Sequence, residues 1–179
     1  MKKLIFCACA MFAFGFANAQ SETVKFGVKA GFVHTNLVAD DLDGADDFDY
    51  DSKIGGYIGG LVDLPISGNF HLQPELLFVA EGADQVSLIY ARIPVLAKYY
   101  IIQNLALQAG PTFGILLDAE DNADDYLKRG DVALTGGATY EFDFGLFVDA
   151  RFNAGLLNIS DVGGEIRTAS FMVGAGYRF

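Results

Sequence analysis

Apolar and polar residues alternate along most of the chain beyond residue 23. Between residues 24 and 32, the even positions carry valine, phenylalanine or alanine, and the odd positions carry lysine or glycine. This period of two predicts a β-strand with one apolar and one polar face. The alternation recurs at residues 71–81, 90–99, 107–115, 132–141, 146–155 and 168–179. Residues 53–64 are a less regular eighth candidate, whose apolar face holds Ile54, Ile58, Val62 and Leu64 with Gly56 and Gly60.

The connections between these strands alternate in length. Residues 66–69, 102–104 and 143–145 are tight turns, whereas residues 39–52 and 118–130 are long and acidic. The other two connections are an intermediate one at 158–165 and a short one at 82–85. Short periplasmic turns and longer external loops are typical of outer-membrane barrels. The sequence therefore predicts an all-β protein, an eight-stranded antiparallel up-and-down transmembrane β-barrel with both termini on the periplasmic side. Pro74, Pro94 and Pro111 remove ladder hydrogen bonds inside strands and predict bulges or irregularities there.

A secreted β-sandwich or a lipocalin-like barrel would show the same alternation with its apolar face turned inward. Two features favour the opposite arrangement. Glycine weakens a strand and packs nothing, yet the polar face carries Gly27, Gly31, Gly110, Gly114, Gly137 and Gly155. In a narrow eight-stranded lumen these glycines would make room for long charged side chains. The apolar face of the seven regular strands carries no charged residue, as a lipid-facing surface requires.

Aromatic residues cluster at the strand ends beside the tight turns. They are Phe70, Tyr99, Tyr100, Tyr140, Phe142, Phe144, Tyr177 and Phe179. Such rings are typical of a membrane–water interface, and simple core packing is the alternative for each. We therefore expect outer-membrane lipid to be the partner of the apolar face.

The first 19 residues are expected to be a secretory signal peptide. Lys2 and Lys3 precede an apolar run from residue 4 to residue 16, and the sequence Ala-Asn-Ala at 17–19 offers a cleavage site. The run is too short to span a membrane as a helix. Both cysteines lie in this segment, so the remaining chain forms no disulfide. The predicted domains are a signal peptide at 1–19 and an outer-membrane β-barrel domain at 20–179.

The chain is strongly acidic. Its formal net charge is −11, and removing Lys2 and Lys3 with the signal peptide takes this to −13. This argues against a nucleic acid partner, whose binding needs a basic surface. The polar faces of the strands carry charges of both signs, and unpaired buried charge is costly. We therefore predict a luminal polar network of Lys29, Glu75, Arg92, Glu141, Asp149 and Arg151.

The first long loop holds a dense group of carboxylates. They are Asp40, Asp41, Asp43, Asp46, Asp47, Asp49 and Asp51. Their oxygens suit Ca²⁺, but the spacing does not match an EF-hand, because no glutamate closes a twelve-residue loop. A solvated charged loop is the favoured interpretation, and calcium binding is the alternative.

Enzymatic chemistry has little support in the sequence. Hydrolysis of lipid needs a nucleophile beside a base, and the chain after residue 19 contains only two histidines, His34 and His71, and no G-x-S-x-G motif. Both histidines are interpreted as polar lining. We predict no enzyme activity and no cofactor. A wide diffusion pore is also disfavoured, because side chains fill an eight-stranded lumen.

Several segments are close to the segments of one known family. They are FHLQPELLF at 70–78, YARIPVLAKY at 90–99, LQAGP at 107–111 and RFNAGLLNI at 151–159. Together they resemble the PorT-like outer-membrane β-barrel family typical of Bacteroidota, although Arg92 stands where that family commonly has an acid. Tyr177 and Phe179 resemble the C-terminal signal read by the outer-membrane assembly machinery of Gram-negative bacteria. The resemblance implies fold and location more than activity.

The sequence thus predicts a small, non-enzymatic integral outer-membrane protein of the cell envelope. Its expected role is structural, or external binding through the acidic loops. The alternatives are a surface receptor or adhesin with a specific ligand, and a lipid-modifying outer-membrane enzyme. The sequence identifies no external ligand.

Overall fold

Eight β-strands make up the described part of the chain, which in this computed structural model covers residues 23–40, 53–83, 86–119, 130–156 and 165–179. They are β1 (Lys25–Asp40), β2 (Lys53–Ser67), β3 (Phe70–Ala83), β4 (Val86–Ile102), β5 (Leu105–Ala119), β6 (Gly130–Glu141), β7 (Leu146–Gly155) and β8 (Glu165–Arg178). Neighbouring strands are antiparallel, and β8 pairs with β1, so the sheet closes into a barrel. The predicted fold class is confirmed. Within those residues, no helix is long and apolar enough to cross a membrane.

The alternation of residue types turns the apolar face outward. Phe113 on β5 and Phe152 on β7 are 46% and 53% exposed on the outer surface, whereas Phe147 on β7 is 1% exposed inside the lumen. The irregular strand β2 follows the same rule, with Ile58 outside and Tyr57 buried inside. The predicted orientation is therefore confirmed, since a water-soluble sandwich would bury the opposite face.

One histidine differs from its prediction. His34 pairs with Ile54 on β2 and with Phe171 on β8, and both partners are exposed on the outer surface. Because paired residues of adjacent strands share a face, His34 belongs to the outer wall and not to the polar lining of the lumen. His71 does line the lumen.

The three prolines singled out in the sequence, Pro74, Pro94 and Pro111, interrupt the ladders without creating bulges. Between β3 and β4, the paired residues step from Pro74 opposite Val95 to Leu77 opposite Arg92 with the register unchanged. The register shifts of the described strands lie elsewhere, such as that between Pro65 and Ser67 in β2. The predicted irregularity therefore takes the form of skipped pairs, because proline has no N–H to donate.

Three tight connections, β2–β3, β4–β5 and β6–β7, share one end of the barrel, which we call the turn end; the opposite end is the loop end. In the β6–β7 turn, Gly145 has a φ of 94°, and its carbonyl accepts a 2.9 Å hydrogen bond from Arg178 N. Seven of the eight predicted interface aromatics are exposed on the outer surface near this end. The exception is Tyr100, which follows outward-facing Tyr99 and therefore points into the lumen.

Candidate functional site

The inward side chains of the described residues include four groups. The turn-end cluster contains Asp63, His71, Lys98, Tyr100, Glu141 and Arg178. The central cluster contains Lys29, Glu75, Asp149 and Arg151. The apolar group contains Val33, Tyr57, Leu77, Val79 and Met172. The hydroxyl–amide ladder contains Thr112, Thr135, Asn153 and Ser170.

The central cluster pairs two cations with two anions. Arg151 Nη1 and Nη2 each donate a 2.7 Å hydrogen bond to Glu75, one to each carboxylate oxygen. Lys29 Nζ donates to Asp149 Oδ2 at 2.6 Å and lies 3.9 Å from Glu75 Oε2. Arg151 Nε lies 2.5 Å from Asp149 Oδ2, in an ion pair without hydrogen-bond geometry. All four side chains are at most 2% exposed, so each charge depends on these partners in place of water.

Four of the six residues predicted for one network meet in this cluster, and two lie elsewhere. Glu141, at the end of β6, joins the turn-end cluster. Arg92 lies over the ring of Tyr90, with 5.7 Å between its guanidinium carbon and the ring centroid. Arg92 also lines a small cavity near the loop end together with Thr35 and Asp131. The six residues share the inward face, as the alternation requires, but they occupy different heights along the barrel.

The turn-end cluster contains a second balanced set of two acids and two bases. Glu141 Oε1 accepts hydrogen bonds from Lys98 Nζ and Arg178 Nη1. Asp63 Oδ2 lies 3.1 Å from Lys98 Nζ and 3.2 Å from Arg178 Nη1. Asp63 Oδ1 lies 2.5 Å from Nδ1 of His71. The pairing leaves the set without net charge when His71 is neutral.

Sequence reasoning missed three charged members of this cluster, in addition to Tyr100, which it placed at the membrane interface. Lys98 and Arg178 stand on the predicted polar face of regular strands, so the alternation alone would have included them. Asp63 lies in β2, where the irregular pattern hid the assignment of the inward face. Its register with β1, where Asp63 pairs with Lys25, places it at the turn end.

A buried glutamine connects the two charged clusters. Gln73 Oε1 accepts a 2.9 Å hydrogen bond from Arg178 Nη2. Gln73 Nε2 donates a 2.6 Å hydrogen bond to Glu75 Oε1. One fully buried amide therefore uses its acceptor on the turn-end cluster and its donor on the central cluster, and the polar network is continuous.

The luminal glycines make room for aromatic as well as charged side chains. A Cβ on Gly174 would lie 2.0 Å from Tyr57 Oη, and one on Gly176 would lie 2.3 Å from Phe147 Cζ. Three of the predicted luminal glycines face charged side chains. A built Cβ would lie 3.0 Å from Arg151 Cγ at Gly137, 3.2 Å from Arg178 Cγ at Gly27 and 3.3 Å from Asp131 Cβ at Gly114. The prediction that glycines accommodate charged side chains is therefore incomplete, because Tyr57 and Phe147 also point inward.

Apolar side chains follow the charged clusters toward the loop end. Val33 lies beyond Lys29 on β1, and Leu77 and Val79 lie beyond Glu75 on β3; all three are at most 1% exposed. On the facing strands the hydroxyl–amide ladder fills the corresponding space. The cavity near the loop end has a volume of only about 10 Å³, which is about the size of one water probe. The lumen therefore holds no wide aqueous channel through the described residues.

The described ranges contain no group of three or more His, Cys, Asp or Glu side chains that could hold a metal ion. The predicted calcium ligands from Asp41 to Asp51 lie outside the described residues, and Asp40 is described only as the last residue of β1. The calcium alternative therefore stays a prediction from the sequence.

A family model described as "Outer membrane protein beta-barrel domain" matches residues 16–161. The chain belongs to this family. No curated protein matches the chain. The barrel is located in the outer membrane.

Solved structures of two bacterial proteins share the fold. Ail, the attachment invasion locus protein of Yersinia pestis, is 15% identical with a TM-score of 0.54, covering 88% of this chain and 100% of Ail. Neisserial surface protein A is 14% identical with a TM-score of 0.54, covering 88% of this chain and 100% of that protein. At these identities the likeness concerns the fold alone.

Proposed function

We propose that this outer-membrane barrel is non-enzymatic and that it acts as a structural element of the envelope or as a binding protein through its external acidic loops. The observation that carries the proposal is the filled lumen. Two charge-balanced clusters and an apolar group occupy its interior and leave function to the lipid-facing wall and the barrel ends. The proposal includes cleavage of the signal peptide after Ala19, a Gram-negative origin and the finer assignment to the PorT-like family.

A non-enzymatic role is supported by the positions of the two histidines. His34 belongs to the lipid-facing wall, and the Nδ1 atom of His71 is engaged with Asp63 at the turn end. A hydrolase would need a base beside a nucleophile at a site open to substrate. The purified barrel should hydrolyse neither phospholipid nor lipopolysaccharide. Hydrolysis by the unmodified barrel that His71→Ala abolishes would contradict the proposal.

A closed barrel is supported by the apolar group across the lumen. Charged solutes would have to pass Leu77 and Val79 after displacing the central cluster, and dry apolar constrictions oppose ions. Planar bilayers should show a flat baseline with the purified protein. Large steady openings would contradict this part of the proposal.

Deleting the external acidic loops separates the structural role from external binding. A strain lacking the protein is complemented with the full chain, with a chain whose 41–50 and 120–128 segments are shortened, or with a chain whose aspartates there are changed to asparagine. Full restoration of detergent resistance by the shortened chain would support the structural role. Restoration by the full chain alone would support binding, and the asparagine variant then shows whether charge carries it. A receptor or adhesin requires, in addition, that the loops retain a specific ligand in a pull-down.

A further inference from the structure

Both ends of the hydroxyl–amide ladder line the small cavity near the loop end. Thr112 and Ser170 are these ends, and Asp131 and Arg92 line the same cavity. Its volume of about 10 Å³ is room for a single water molecule. A cavity of this size holds water only where two to four polar groups can bond to it. The polar atoms that face the cavity therefore decide what it binds.

The hydrogen bonds of the ladder run in one direction. Thr135 has one hydroxyl proton, which it donates to Asn153 Oδ1 at 2.7 Å. Thr135 Oγ1 therefore accepts in its other contact, at 2.5 Å from Thr112 Oγ1. Asn153 Nδ2 donates to Ser170 Oγ at 3.0 Å. The hydroxyl proton of Ser170 is left at the end of the ladder, and no atom of the described residues accepts it.

Turning the amide of Asn153 over moves this unpaired proton to the other end. Asn153 Nδ2 then donates to Thr135, and Thr135 donates to Thr112. The hydroxyl proton of Thr112 is now the one that lacks an acceptor. Thr112 and Ser170 are each 5% exposed, so an unpaired hydroxyl at either position carries a desolvation cost. In both orientations the unpaired proton belongs to a residue that lines the cavity.

Asp131 brings an unpaired acceptor to the same cavity. Its Oδ1 atom is buried, and in the part of the chain that the structure describes it has no hydrogen-bond partner. Asp131 on β6 pairs with Gly114 on β5, which pairs with Arg92 on β4. Arg92 also lines the cavity, and its positive charge opposes a metal cation there. A hydroxyl donor and a carboxylate acceptor, both without partners, therefore border one space.

We propose that the loop-end cavity is a binding site for one ordered water molecule, which accepts the terminal hydroxyl proton of the ladder and donates a hydrogen bond to Oδ1 of Asp131. A water molecule makes both bonds at once, because it carries two donors and two acceptor lone pairs. The ladder and the water together form a continuous chain of hydrogen bonds from β5 to β8, which returns to β6 at Asp131. The water thereby satisfies two buried polar groups at the loop end of the lumen.

A crystal structure of the purified barrel, at a resolution that shows individual waters, tests the site. We expect one water within about 3.2 Å of Asp131 Oδ1 and of the hydroxyl of Ser170 or Thr112. A dry cavity, or one closed by a side chain of the barrel itself, would overturn the proposal. A bound cation would overturn it too, and crystals grown in rubidium chloride identify one by its anomalous signal.

Oxygen-17 relaxation dispersion needs no crystal, because it counts the long-lived internal waters of the barrel in detergent micelles. Ala133 is buried and lines the cavity, so Ala133→Val adds two methyl groups there and should lower the count by one. Gly155→Ala adds one methyl group at the same cavity and repeats the test if Ala133→Val does not fold.

The control for this count is Ala150→Val, which makes the same change on the outer surface of β7. Ala150→Val should leave the number of long-lived waters unchanged. An unchanged count in the cavity variants, or the same loss in Ala150→Val, would contradict a water bound at the loop end.

Discussion

The two terminal nitrogens of Arg151 each donate a 2.7 Å hydrogen bond to a different oxygen of Glu75. This two-point contact joins β7 to β3 across the lumen, and it is geometrically more specific than a lysine contact would be. Lys29 and Asp149 complete the balance of charge around it. The barrel is therefore held internally by a compact set of charges that are excluded from water.

Removing Arg151 should strongly destabilise the barrel. Arg151→Met leaves Glu75 and Asp149 to share Lys29, and an uncompensated buried charge costs about 3–5 kcal/mol. Urea titration, followed by the heat-modifiable shift of the folded band on unboiled gels, measures the free energy of unfolding. The control Lys25→Gln removes an exposed cation and should change stability by less than about 1 kcal/mol.

A double variant distinguishes pairing from packing. Glu75→Gln combined with Arg151→Met removes one charge of each sign and leaves Lys29 paired with Asp149. We expect the double variant to be more stable than the sum of the single effects requires, by about 0.5–3 kcal/mol. Strictly additive effects would show that the Arg151–Glu75 contact carries no coupling energy.

Replacing Gln73 should destabilise the barrel more than replacing Gln108, which is similarly buried. Gln73→Leu removes the acceptor of Arg178 and a donor to Glu75, and leaving buried polar groups without partners costs about 1–3 kcal/mol. The matched control is Gln108→Leu, since Gln108 is also buried and accepts a single contact of 3.4 Å from Arg151. Equal losses of stability in the two variants would show that the link between the clusters adds nothing.

Close packing between Gly174 and Tyr57 predicts that Tyr57→Phe restores part of the stability lost in Gly174→Ala. Gly174→Ala would place a Cβ 2.0 Å from Tyr57 Oη and 2.8 Å from Ala30 O, and overpacking costs about 1–3 kcal/mol. Adding Tyr57→Phe removes the hydroxyl and should restore part of the stability, while the backbone contact keeps the rescue incomplete. Gly136→Ala is the control, because a Cβ there meets no described atom within 4 Å. A fully tolerated Gly174→Ala would contradict the packing.

The alternation of the sequence could predict the strand count, the closed topology and the outward apolar face, because a period of two fixes the face of every side chain. It could also group Lys29, Glu75, Asp149 and Arg151, which all face the lumen. It could not place Glu141 or Arg92 in other groups. Their height in the barrel depends on the stagger between strands, which pairing across the sheet decides and local sequence does not.

The contacts of the luminal glycines could not be predicted either, because they depend on the register between strands. Gly174 and Tyr57 are far apart in the sequence, and only the register of β8 with β1 and of β1 with β2 brings them together. Tyr100 shows a different failure. It stands beside Tyr99 at a strand end, where composition suggested an interface aromatic, but strict alternation sends the second of two adjacent tyrosines into the lumen.

The orientation of the barrel wall is the central claim, and two tryptophans on one strand test it most directly. The chain contains no tryptophan, so Phe152→Trp and Phe147→Trp each introduce a single fluorophore on β7. In bilayers of lipids with brominated acyl chains, we expect strong quenching of the tryptophan at position 152 and little at position 147. Equal quenching, or stronger quenching at position 147, would contradict an outward apolar face.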